Sequence, residues 1–147
     1  MIQRVAISID SIIDKTIAQS SQDFRSLRTQ KPDIDTLFPD FVITPDDRQA
    51  IVDRINTIAS YVYDGLKDYV CQWYIDEDVC FYIKTNADML AIENYLHKIM
   101  SNSILSWWYN LRLPELADVY TRESNTYYIM LKNAVMPMFG SRRLRFF

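Results

Sequence analysis

With 2 glycines in 147 residues, the chain has almost no positions free to adopt positive φ. That scarcity disfavours a many-stranded sandwich or barrel, and any glycine-rich cradle for phosphate. Histidine is scarcer still. His97 stands alone, so a two-histidine metal site is impossible and any serine triad or cysteine dyad must be built on it. It lies between Leu96 and Lys98 inside a helical pattern, which reads as a surface histidine or a satisfied core one. The two cysteines, Cys71 and Cys80, flank the acidic stretch Asp76-Glu77-Asp78. If that stretch turns a hairpin, Ile75 faces Val79, Tyr74 faces Cys80 and Cys71 faces Ile83, which leaves the sulfurs out of register on opposite faces. Two buried or half-buried free thiols follow, as suits a reducing compartment. No zinc knuckle is spelled out, and neither a metal nor a cofactor is expected. Long apolar runs are missing as well. The first ten residues carry Arg4 and Asp10 without the apolar centre of a signal peptide, and no stretch approaches a membrane span. The expectation is a protein kept in cytoplasm-like solvent, away from membranes.

What the chain does have is the material of one globular domain. At 147 residues, 49% of them hydrophobic and 24% charged, it can bury about 70% of its unfolded surface without staples. Ten tyrosines and three tryptophans supply large semi-polar contact surfaces. The net charge of -3 offers no general attraction to nucleic acid, so such binding would need a local basic patch.

Periodicity predicts a mainly α fold, a small bundle of about four helices with a short β-hairpin between helices two and three. Val5, Ile7 and Ile9 alternate like a strand, but Ile9, Ile12, Ile13 and Ile17 share a helical face. A first helix is expected from Ser8 or Asp10 to Leu27, capped by one of those two side chains. Residues 28–43, with Pro32 and Pro39, read as a long loop pinned by Leu37, Phe38 and Phe41. Thr44-Pro45-Asp46-Asp47 opens the second helix, with a capping hydroxyl, proline in the first turn and carboxylates at its positive end. Ile51, Ile55, Ile58, Val62, Leu66 and Tyr69 form its apolar stripe. The hairpin spans Tyr69 to Ile83. A third helix, capped by Asn86 or Asp88, runs to Trp107. The fourth begins at Pro114 and stops before Pro137. Residues 1–139 are read as the helical domain and 140–147 as a basic, aromatic tail.

Few groups can carry chemistry. Asp76, Glu77 and Asp78 point different ways along the turn and lack the glycine and downstream glutamate of a calcium loop, so they read as a solvated acidic turn. Asp46 and Asp47 are accounted for by the helix dipole. No catalytic residues are assigned, and the chain is expected not to be an enzyme. Trp107, Trp108 and Tyr109 are adjacent on a helix, where neighbours differ by about 100°, so at most two can enter one core. Either one ring is left exposed as a contact anchor, or Trp108 packs under residues 28–43. The tail joins Arg142, Arg143 and Arg145 to Leu144, Phe146 and Phe147, a combination suited to docking in a partner's groove or to contacting phosphates. A frayed, solubilising end is the plainer alternative.

An N-terminal helix, an amphipathic helix opening with Thr44-Pro45-Asp46-Asp47, a hairpin, two further helices and a basic tail together resemble the head-tail connector (adaptor) proteins of tailed bacteriophages. The likeness covers most of the chain. The opening Ile7-Ser8-Ile9-Asp10-Ser11-Ile12-Ile13-Asp14 and the arginine-rich end are also similar to small prophage proteins of gut Bacteroides-type bacteria. Residues 28–43 and the two tryptophans depart from the family's pattern. The resemblance implies a structural virion protein of the phage neck, made in the host bacterial cytoplasm. It would form a homo-oligomeric, typically dodecameric ring between the portal protein and the next neck or tail protein, with DNA passing through without specific binding. It implies a portal or subunit contact for the tail. Asp76, Glu77 and Asp78 are the expected channel-facing acidic wall, where like charge would keep the duplex from sticking. A stopper or tail-completion role, or a small cellular helical protein-binding or regulatory module that takes a protein or nucleic acid through the tail, are the alternatives.

Overall fold

The computed structural model describes residues 1–136. Its elements are β1 (Ile2–Ser8), α1 (Ile9–Gln30), α2 (Ile34–Leu37), α3 (Arg48–Gly65), β2 (Val70–Ile75), β3 (Asp78–Lys84), α4 (Met89–Tyr109) and α5 (Pro114–Val135). The chain is mainly helical, as its periodicity predicts, but the expected lone hairpin is part of a three-stranded antiparallel sheet of order β1-β3-β2. The alternation at Val5 and Ile7 is a true strand. Both side chains are buried, and β1 pairs along β3 from Ile2 opposite Lys84 to Ser8 opposite Asp78. Val79, Phe81 and Ile83 of β3 turn to the same core.

The hairpin keeps the expected partners Ile75 with Val79 and Tyr74 with Cys80, then departs from register. A bulge between Val70 and Gln72 sets Val70 opposite Ile83, so Cys71 is the extra residue and is exposed. The expectation that Cys71 faces Ile83 in a half-buried position is therefore corrected. Cys80 is buried and both thiols are free. The outer face of the sheet carries Arg4, which donates to Cys80 Sγ at 3.3 Å, beside the Tyr74–Tyr82 ring pair.

Ser8 caps α1, accepting from the Ser11 amide, and the helix runs to Gln30, one turn beyond the expected end. Residues 28–43 are not one irregular loop. They hold the end of α1 and the short α2, whose Ile34 is buried, and Phe41 and Ile43 drive this segment into the core. The Ser20 hydroxyl accepts from the Ile43 amide, which ties the segment back to α1. At Thr44 the Asp47 carboxylate accepts from the Thr44 amide at 2.9 Å. One 3-10 turn, Pro45–Asp47, precedes α3. Asp88 caps α4 by accepting from the Leu90 amide, and Pro114 starts α5.

One core joins sheet and helices, from Val5 and Ile12 through Ile55, Phe81 and Leu96 to Leu131 and Val135. Within it Asp23 of α1 gathers the α4–α5 pair. Its Oδ2 accepts from Tyr109 at 2.9 Å and from Tyr120 at 2.5 Å, while Oδ1 accepts from Gln19. Burial, together with the neighbouring Asp23, holds both phenols well above the ordinary tyrosine range. Pro137, the end of the proposed 1–139 domain and the tail 140–147 lie outside the described residues.

Candidate interaction surfaces

The end of α4 resolves the three adjacent rings. Tyr109 is wholly buried and Trp108 nearly so. The Trp108 indole N–H donates to the Phe41 carbonyl at 2.7 Å, and the Arg112 guanidinium lies 4.0 Å over its ring. Arg112 is in turn held by the Trp108 carbonyl and the Asp40 carboxylate; its hydrogen bond keeps that carboxyl below its usual pKa. Trp108 thus packs under the segment before α3, and its place as a partner-binding ring is corrected. Trp107, half-buried, is the ring left at the surface. The other expected partner-binding residues, Arg142, Arg143, Leu144, Arg145, Phe146 and Phe147, lie outside the described residues.

At the hairpin tip the turn proper is Asp76 and Glu77, both exposed, while Asp78 opens β3 and is half-buried. Asp76 Oδ1 accepts from the Asp78 amide, a local turn bond typical of aspartate. The Glu77 carbonyl accepts from the Ile9 amide, so the tip is braced against the start of α1. Asp76 and Glu77 are therefore at the exposed tip, and Asp78 is at the start of the central strand.

His97 lies between two hydroxyls, with Nε2 3.0 Å from Ser11 Oγ and Nδ1 3.3 Å from Ser101 Oγ. Burial lowers its pKa, and the nearby Lys15 and Lys98 add to the effect. A serine beside a neutral imidazole resembles half of an acyl-transfer site, but the orienting partner is a hydroxyl rather than a carboxylate. Among the described residues no group of three or more His, Cys, Asp or Glu is placed to hold a metal ion.

A feature that sequence reasoning missed is a groove between α3 and α5 with α4 as its floor. Its main part is a cavity of about 360 Å³ reached by Arg54, Ser103, Ser106, Trp107 and Thr121. It continues toward Tyr61 and Tyr128, whose rings sit 5.5 Å apart. Gly65 permits this closure of α3 on α5, because a Cβ there would coincide with the Tyr128 hydroxyl. Hydroxyls cross-link the floor to α5: Ser103 Oγ meets Ser124 Oγ at 2.7 Å, and Ser106 Oγ meets Thr121 Oγ1 at 2.5 Å. The signal was present as small polar residues three apart on both helices.

Outside the groove, α5 also carries exposed apolar side chains opposite its buried stripe. Val119 is 42% exposed, Ile129 58% and Met130 41%, and Leu111 in the turn before α5 is 88% exposed. No described helix is long and apolar enough to cross a membrane. Comparison of the chain with family models, curated proteins and solved structures finds no match.

Proposed function

We propose that this chain is a structural subunit of a phage neck, a head-tail connector (adaptor) that joins copies of itself in a ring between portal and tail. The observation that supports the reading is the apolar surface on the α4–α5 pair. A helix packed against one core needs one apolar stripe, yet α5 also exposes Val119, Ile129 and Met130. Val119 lies roughly 17 Å from Met130 by helical rise. Apolar positions at both ends of one helix suit a subunit gripped by two neighbours, as the head-to-tail contacts of a ring require. The sheet adds to this, since β1 and β2 are edge strands with one side unpaired among the described residues. In this reading the exposed Asp76 and Glu77 face the channel, DNA passes without being bound, and the 140–147 tail reaches the portal or the next subunit.

The test is charge placed in the apolar patch. Ile129→Glu with Met130→Glu is expected to leave helix content and melting unchanged and to abolish assembly beyond a monomer, read by native mass. Assembly of the charged variant at wild-type concentrations would refute the role given to this face.

A further inference from the structure

We infer that the groove between α3, α4 and α5 is a binding site for a small hydroxylated organic anion, such as a sugar phosphate or a hydroxy acid, clamped by Arg54. The inference is independent of the ring reading and starts from an arginine to which no hydrogen bond or ion pair is made among the described residues. Two guanidinium nitrogens are sealed from solvent without a hydrogen bond, Nε of Arg54 and Nε of Arg112. Arg112 is otherwise well satisfied, by the Trp108 carbonyl, by Asp40 and by the indole ring beneath it. Among the described residues Arg54 has none of these compensations. The ion pairs among the described residues are Arg48 with Asp10 and Arg112 with Asp40, and no aspartate or glutamate lines the main cavity. The nearest lining carboxylate, Asp53, borders the shallow extension and accepts from Gln49. Arg54 lines the main cavity and both of its extensions, and a guanidinium at the wall of a polar groove is what carboxylate and phosphate recognition uses.

The hydroxyls then say what the rest of the ligand offers. A hydroxyl has one proton to give. Ser124 gives its proton to the Ile99 carbonyl and Thr121 gives its own to the Ala117 carbonyl. Ser103 and Ser106 must therefore donate to Ser124 and Thr121, and all four protons are spent inside the protein. What these four hydroxyls still offer the groove is acceptor capacity. A bare anion finds only Arg54 and the side-chain amides of Asn110 and Asn125 there, whereas an anion carrying its own O–H groups also satisfies the hydroxyls. The half-buried Trp107 ring at one end offers an apolar face for its carbon skeleton, and about 360 Å³ falls at the small end of ligand pockets, which start near about 300 Å³.

Isothermal titration of the full chain with glucose 6-phosphate and with citrate separates the phosphate source from the carboxylate one, and glucose and inorganic phosphate serve as comparators. We expect one of the two hydroxylated anions to bind saturably with a Kd below about 1 mM. Glucose alone and phosphate alone should each bind at least about tenfold more weakly. R54M should lose at least about tenfold in affinity, roughly 1.4 kcal/mol. R54K keeps the charge without the fork and should also bind more weakly than wild type, which keeps the test decisive if R54M folds poorly. No saturable heat with either anion up to about 10 mM, or unchanged affinity in the arginine variant that folds, would overturn the site.

Discussion

Replacing Asp23 with alanine should be among the most damaging single changes outside the apolar core. The carboxylate takes hydrogen bonds from Tyr109 and Tyr120 through one oxygen and from Gln19 through the other, and Tyr109 is wholly buried. A hydrogen bond to a charged group is worth about 1.5–3 kcal/mol, and a buried donor left without a partner costs about 1–3 kcal/mol. Two phenols lose their acceptor together, and because they share it the losses do not simply add. Asp23→Ala is therefore expected to cost about 3–5 kcal/mol. Tyr109→Phe, which removes one donor and leaves Asp23 held by Tyr120, should cost about 1.5–3 kcal/mol. Asp23→Asn retains an acceptor oxygen and should fall below Asp23→Ala. Urea unfolding at neutral pH measures all three, and for a chain of this size each kcal/mol also lowers the melting temperature by about 2–4 °C. An Asp23→Ala variant within about 1 kcal/mol of wild type would refute this account of how α1 is fastened to the α4–α5 pair.

Trp108→Phe removes the indole donor from the buried Phe41 carbonyl and shrinks the ring under Arg112; about 2–4 kcal/mol should be lost. Hydrogen exchange at the Ile43 amide, which Ser20 holds in the same segment, should accelerate more than at α5 amides. The pKa of His97 is depressed by burial and by Lys15 and Lys98, so the folded state binds its proton less readily than the unfolded chain. Its contribution is fully present above the unfolded value near 6.5 and is lost as pH falls toward the folded value. Melting temperature should drop between about pH 7.5 and pH 5.5, and His97→Gln should flatten that slope; an equal slope in the variant would contradict it.

Where local chemistry marks an element, the sequence is readable. Thr44-Pro45-Asp46-Asp47 announces α3, Asp88 and Pro114 announce α4 and α5, and alternating residues around Asp76-Glu77 set Ile75 against Val79. What escapes is long-range. The strand at Val5 and Ile7 runs without a break into a helical stripe at Ile9, and its pairing with β3 crosses some seventy residues. A single extra residue at Cys71 shifts the hairpin register, and nothing in a β-branched, aromatic run locates a bulge. Asp23 looks like any charged residue on a helix until Tyr109 and Tyr120, 86 and 97 positions away, close on it. Arg54 is equally anonymous in the sequence. Its meaning depends on which carboxylates fail to reach it, a property of the assembled helices rather than of the local pattern.

The most direct test of the proposed role is native mass of the full chain across concentration, alone and with a tailed-phage portal protein, and of a variant ending at Gly140. The account predicts closed rings of about twelve 17.4 kDa chains, formed alone or on the portal, that are weakened by removing the tail. A chain that stays monomeric at every concentration and does not bind the portal would contradict it.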